Sequence, residues 1–133
     1  MGRRLILDTN VLIAYERGTI DRRMFDDDDL AVAAVTIAEM RVGVELADTA
    51  QRAADRSRAL EEILTYTETL DYTGTTALHH ARLIAHTVRG GFKRGAMDLI
   101  IAAHAAQSGR ILVSRDAKAK FGDLPGVVAL EAE

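Results

Sequence analysis

The chain has 133 residues, 48% of them hydrophobic and 28% charged, with no cysteine and a formal charge of −3. These values fit one folded domain spanning 1–133 and exclude a disordered chain, a disulfide scaffold, a thiolate zinc site and a uniformly basic nucleic-acid coat. Arg3 and Arg4 ahead of LILDTNVLIAY imitate a signal peptide, but Asp8 and Asn10 interrupt the apolar run and no small-residue cleavage site follows. Nor does any stretch approach the roughly 18 apolar residues of a membrane helix, so a soluble, cytoplasmic protein with no membrane partner is expected.

Residues 4–7 (RLIL) read as a short buried strand that gives way at Asp8 to a helix through Val11–Glu16, with Gly18 as its stop. Four consecutive aspartates, Asp26 to Asp29, form a solvated turn, since a consecutive run cannot converge on one ion and lacks calcium-loop spacing. LAVAAV, residues 30–35, is a second strand, and Thr36 opens a helix toward Leu46. A longer helix covers about Ala50–Tyr66, with Leu60, Ile63 and Leu64 on its apolar face. Thr67–Tyr72 supplies a third strand, 75–89 a helix ended by Gly90-Gly91, and Ala96–Gln107 another ended by Ser108-Gly109. ILVS at 111–114 and VVAL at 127–130 complete an alternation of strands and helices, the pattern of an α/β fold with a central parallel sheet.

Four acids stand against aliphatic runs in separate parts of this pattern: Asp8, Glu39, Asp98 and Asp116. Burying a carboxylate costs several kcal/mol unless it is paired, hydrogen-bonded or bound to a cation. Helix capping explains each acid singly: Asp8 before a helix, Thr36-Ile37-Ala38-Glu39 as a capping box, Asp98 in a first turn, Asp116 before a short turn. A shared metal site explains them jointly, because Asp8 and Asp116 follow strands, and ligands gather at the carboxyl ends of parallel strands. Oxygen-only donors of this kind suit Mg²⁺ or Mn²⁺.

Asp8-Thr9-Asn10 after the first strand, Thr36-Ile37-Ala38-Glu39, Asp98 heading an aliphatic helix, and ILVSRD in the last quarter, in this order along nearly the whole chain, resemble a PIN-domain ribonuclease, particularly the VapC toxins of bacterial toxin–antitoxin pairs. The resemblance implies a three-layer α/β/α sandwich and a Mg²⁺- or Mn²⁺-dependent endoribonuclease that leaves a 5′-phosphate and a 3′-hydroxyl. It implies that Asp8, Glu39, Asp98 and Asp116 are catalytic and metal-binding, with Thr9, Asn10 and Ser114 supporting the pocket. It further implies a homodimer and a larger complex with a VapB-type antitoxin. Where relatives of this kind often carry a further acid just before the phenylalanine, this chain has Ala119-Lys120 before Phe121.

Arg89, Lys93 and Arg94 before Asp98, and Arg110, Arg115, Lys118 and Lys120 around Asp116, are read as cations beside the acidic pocket; Lys93, Arg94, Arg115 and Lys118 are the candidate RNA-phosphate contacts. His79, His80, His86 and His104 form no HExxH pattern, Ser114 has no GxSxG elbow, and no phosphate-binding glycine loop is present. Two other readings stay open on the residues alone. One is a phosphatase- or receiver-like phosphoryl-transfer domain, for which a DxD strand end would be expected in place of Asp8-Thr9-Asn10. The other is a catalytically silent interaction module whose four acids are only caps.

Overall fold

Two of the shortest apolar runs, LIL and ILV, become the centre of the sheet. In a computed structural model, which describes residues 2–132, β1 (Arg4–Leu7) pairs in parallel with β2 (Asp29–Ala33) on one side and β4 (Ile111–Ser114) on the other. The outer strands are β3 (Glu68–Leu70) beside β2 and β5 (Ala129–Glu131) beside β4, giving a parallel sheet of order β3-β2-β1-β4-β5. Central parallel strands are covered on both faces, which is why β1 reads as an unbroken apolar run and not as an alternation.

Successive side chains of β1 take opposite sides. Leu5 and Leu7 pack with Val32 and Val113 against Val11, Leu12 and Ala14 of α1 (Thr9–Arg17) and Ile63 of α3 (Ala50–Thr65). Ile6 packs with Ala33 and Leu112 against Leu83 of α4 (Gly74–Gly90) and Leu99, Ile101 and Ala102 of α5 (Ala96–Ser108). The result is helix, sheet, helix: the three-layer arrangement expected from the sequence. Among the described residues, no helix is long and apolar enough to cross a membrane.

Helix ends follow local chemistry. Gly18, Gly91 and Gly109 each sit at φ near +70° just beyond a helix, where a side chain would be strained. Thr49 caps α3 by accepting from Arg52 N, and Thr73 with Thr76 forms a reciprocal capping box at α4.

Three expectations need correction. The strand expected over 30–35 ends at Ala33, and α2 (Ala34–Glu45) begins there without a side-chain cap, so the capping box expected at Thr36 does not form. AVAAV, residues 31–35, is apolar throughout, so no polar boundary marks where extended backbone turns helical; Thr36 lies inside the helix, fully buried. The last strand runs over 129–131 instead of 127–130, with Leu112 opposite Ala129. The run Asp26–Asp29 is not uniformly solvated. Asp28 leaves only 6% of its side chain exposed and receives the Arg3 guanidinium at 2.8 Å, while Asp29 opens β2 and accepts from Arg110 at 2.9 Å.

Candidate functional site

The carboxyl ends of β1, β2 and β4 open into one cavity of about 250 Å³, lined by Asp8, Thr9, Asn10, Ile13, Glu39, Asp98 and Asp116. All four acids singled out in the sequence therefore reach the same space, from four different elements. Capping and convergence operate together here. A helix that starts where a strand ends places its N-cap carboxylate at the sheet edge.

Asp8 shows how. Its backbone N–H extends the β1–β4 ladder by donating to Val113 O, and its Oδ1 accepts from Thr9 N at 2.8 Å as the cap of α1. Oδ2 is turned the other way and accepts from Ser114 Oγ at 2.9 Å, leaving the residue 5% exposed. Burial pushes the Asp8 carboxyl above its ordinary range, against the lowering effect of the Ser114 and Thr9 bonds; Asp98 and Glu39 push it further up. Ser114 in turn accepts from Asp116 N at 3.0 Å, and Asn10 Oδ1 accepts from Arg115 N at 3.1 Å. The two strand-end loops are thereby tied to each other.

Glu39 projects from the second turn of α2, where Thr9 Oγ1 donates to its Oε1 at 2.8 Å. Thr9 thus links the acid at the end of β1 to the acid beyond β2. Asp98 is the third residue of α5, where the unpaired amides of a helix start favour a carboxylate. Burial raises its pKa first, and Asp116 and Glu39 add to the shift by like-charge repulsion. Asp116 is exposed and caps the short turn Ala117–Ala119 by accepting from Lys118 N at 3.0 Å.

Two contributors escaped the sequence reading. A Cβ built on Gly95 would lie 3.3 Å from Asp98 Oδ2, so the missing side chain gives the carboxylate its space; RGAMD carries that signal only once Asp98 is known to fold back over its own helix start. Ile13, one helical turn beyond Thr9, supplies an apolar wall, and its spacing from Thr9 is the only trace of this in the sequence.

The basic residues separate. Lys93, Arg115 and Lys118 are exposed near the rim elements. Arg94 is engaged locally: its guanidinium donates to the carbonyls of Ala119 and Lys120 and stacks 4.7 Å from the Phe92 ring centroid. Arg110, expected beside Asp116, precedes β4 and so lies at the opposite end of the sheet. There it is buried and donates to Leu5 O, Asp29 Oδ1 and Glu68 Oε2. His104 is buried in α5 against the edge of Tyr72, and desolvation lowers its pKa.

The donor set is oxygen-only, mostly carboxylate, and among the described residues no side-chain cation forms a salt bridge with any of the four acids. Hard divalent cations take such donors. In these rotamers no three acidic or imidazole groups among the described residues close on one point. The fit to a cation thus rests on donor chemistry, and on the burial and like-charge repulsion that raise the pKa values of Asp8 and Asp98 and that a bound cation would offset.

Residues 5–125 match the PIN domain family, all four acids included. The chain belongs to that family. Over 126 residues it is 36% identical to ribonuclease VapC5 of Mycobacterium tuberculosis, an alignment covering 95% of this chain and 91% of the relative. A tRNA(fMet)-specific endonuclease VapC of Salmonella typhimurium is 26% identical over 129 residues, covering 93% and 94% of the two chains. Among solved structures, VapBC-5 of Mycobacterium tuberculosis, a member of the VapBC family of toxin-antitoxin systems, superposes with a TM-score of 0.81 at 32% identity, covering 97% of this chain and 98% of that one. The likeness extends from the first strand of this PIN domain protein to its last helices and beyond, well past any one motif.

Proposed function

We propose that this protein is a divalent-metal-dependent endoribonuclease of the VapC kind, a cytoplasmic toxin held inactive by a VapB-type antitoxin, with 1–133 acting as a single PIN domain. One observation carries the reading: four carboxylates from separate elements line a single cavity at the carboxyl end of a parallel sheet. The VapC ribonucleases among its relatives, and the toxin–antitoxin complexes among its structural neighbours, support RNA as the substrate and an antitoxin as the partner. Nucleases of this family generally depend on a divalent metal; for the oxygen donors here the metal is Mg²⁺ or Mn²⁺.

Asp8 and Asp98 are the principal ligands, and Glu39 and Asp116 complete the acidic wall. A divalent cation held by these carboxylates would supply Lewis-acid polarisation of the phosphodiester and lower the pKa of water. The chain's own contribution is orientation. Ser114 fixes one oxygen of Asp8 and Thr9 N the other, so that carboxylate has little rotational freedom left. Thr9 Oγ1 holds Glu39 at the rim, where it orients the attacking water. Lys93, Arg115 and Lys118 attract the RNA backbone around an otherwise repulsive acidic centre. No nucleophilic side chain is needed, consistent with Ser114 donating to Asp8 and lacking a histidine partner.

The test is incubation of purified protein with total cellular RNA, with and without Mg²⁺ or Mn²⁺, alongside Asp8→Asn and Asp98→Asn. Metal-dependent cleavage that disappears in both folded variants is the expected result; cleavage by either variant at the wild-type rate sinks the assignment of the site. Size-exclusion chromatography of the protein alone, then with the product of its neighbouring operon gene, tests the homodimer and the toxin–antitoxin complex.

A further inference from the structure

Behind Asp116 lies a second cavity, of about 200 Å³, which uses that residue as a shared wall with the acidic one. Its character is different. Phe121, buried at 3% exposure, and Ala117 and Ala129 give it apolar surface, while Lys120 and Glu131 are polar groups in its lining beside Asp116. A small cleft with apolar sides and a few carboxylate acceptors suits a flat heterocycle carrying amino groups, and does not suit a bare phosphate.

Its rim is held in place with some care. Lys120 is the only non-glycine among the described residues with positive φ, at 48°, a conformation that costs a side-chain-bearing residue energy and persists where surroundings enforce it. Those surroundings are visible: Arg94, from the loop before α5, donates to the carbonyls of Ala119 and Lys120. The Lys120 ammonium rests 5.6 Å from the Phe92 ring centroid, and no salt bridge among the described residues engages it. A cation parked on an exposed aromatic ring is available to a stronger anionic partner. At the position just before Phe121, the fold thus presents a positive charge at the mouth of an amphipathic cleft.

We propose that this second cavity is a nucleoside subsite of the ribonuclease, receiving the base next to the scissile phosphate, with Lys120 binding the RNA phosphate on its rim. The inference rests on the ribonuclease reading and adds to it where substrate selectivity is set. Asp116 lines both cavities, so a phosphodiester among the four acids and a nucleoside in the second cavity would flank the same side chain, as neighbouring parts of one strand do. Stacking on the apolar side is sequence-tolerant, whereas Glu131 and Asp116 favour bases that offer an amino group.

The experiment measures cleavage of short single-stranded RNAs that differ only at the nucleotides flanking the cut, with wild type, Lys120→Asn and Ala129→Trp. Asparagine tolerates positive φ, and Ala129 is exposed on an edge strand, so both variants are built to keep the fold, with circular dichroism as the check. Lys120→Asn is expected to raise KM about fivefold with kcat little changed, and to reduce the salt dependence of binding by about one unit of slope. Ala129→Trp, which fills the cleft from the face that Ala129 shares with Gly122, is expected to change base preference at one flanking position and leave the others alone. Active variants with wild-type KM, salt slope and base preference overturn the subsite while leaving the ribonuclease intact. A uniform fall in kcat with no change in KM or preference overturns it too. A wild-type protein that cleaves no RNA under any metal condition overturns the ribonuclease reading and the subsite with it.

Discussion

The two ends of the sheet treat the same residue type in opposite ways. At the amino end, acids meet arginines: Asp28 with Arg3, and Asp29 and Glu68 with the buried Arg110. At the carboxyl end, Asp8, Glu39, Asp98 and Asp116 crowd one cavity without a salt bridge among the described residues. The pKa directions follow. The Arg3 hydrogen bond holds Asp28 below its ordinary range, while burial and like charges hold Asp8 and Asp98 above theirs. One end is electrostatically finished by the chain itself; the other is left for something external to finish.

Replacing Asp98 tests this contrast most severely. Asp98→Asn is expected to lower RNA cleavage by more than about 100-fold, since even partners one shell removed from a metal cost 10- to 100-fold. It should also make the metal-free protein more stable at neutral pH. A raised carboxyl pKa means the folded chain holds the proton more readily than the unfolded one, so stability is greatest while the group is neutral and falls as pH rises through its folded pKa. The neutral amide removes that loss, and urea titrations in chelator read it directly. If the variant is instead less stable in chelator, the helix-start role of Asp98 outweighs its repulsion.

Adding the cation should have a comparable effect by another route. At Mg²⁺ or Mn²⁺ about 100-fold above Kd, the wild type gains about 2.7 kcal/mol against unfolding. Asp98→Asn should gain much less. Differential scanning calorimetry across a metal series measures both.

The amino end should behave as structure and not as chemistry. Arg110→Met removes charged hydrogen bonds to Leu5 O, Asp29 and Glu68 and is expected to cost about 2 kcal/mol. The loss should be the same with and without metal, and cleavage should survive wherever the variant is folded. A smaller effect is expected at Asp28. Its lowered pKa makes a stabilising contribution that is fully present above the ordinary carboxylate pKa of about 3.9 and is lost as pH falls through the folded value. Asp28→Asn should therefore flatten the acid side of the stability curve, as followed by circular dichroism from neutral pH downward.

Ser114→Ala is the finest probe. Ser114 donates to Asp8 and opposes the rise in its pKa, so its removal leaves the carboxyl higher still. The acid limb of the pH–rate profile should move to higher pH with the alkaline limb unmoved. An acid limb that stays in place would show that Asp8 protonation does not limit the reaction.

Much of the fold was legible because local patterns and tertiary needs agreed. RLIL and ILVS are too short and too apolar to be anything but buried strands, and Gly18, Gly90-Gly91 and Gly109 mark helix ends through a backbone requirement that is local. AVAAV was not legible, because an apolar run satisfies a central strand and a covered helix start equally well. Among the acids, Asp8 and Asp116 were read as caps and as pocket residues, and the structure shows both roles at one position each. The basic residues were misjudged where only proximity in sequence was available. Arg110 immediately precedes a strand whose other end carries the cavity, and a strand of four residues is long enough to put it on the wrong side.

The sequence by itself determined the alternation of strand and helix, the burial of the central strands, the four acids as a set and the family resemblance, because each depends on residue type at short spacing. The tertiary structure alone decided which charges meet. Arg3 with Asp28, Arg110 with Glu68, Thr9 with Glu39 and Arg94 with the Lys120 carbonyl are separated by 25 to 42 residues along the chain. Their electrostatics depend on distance through space and on the exclusion of water, and both are fixed only when the sheet and its two helical layers close.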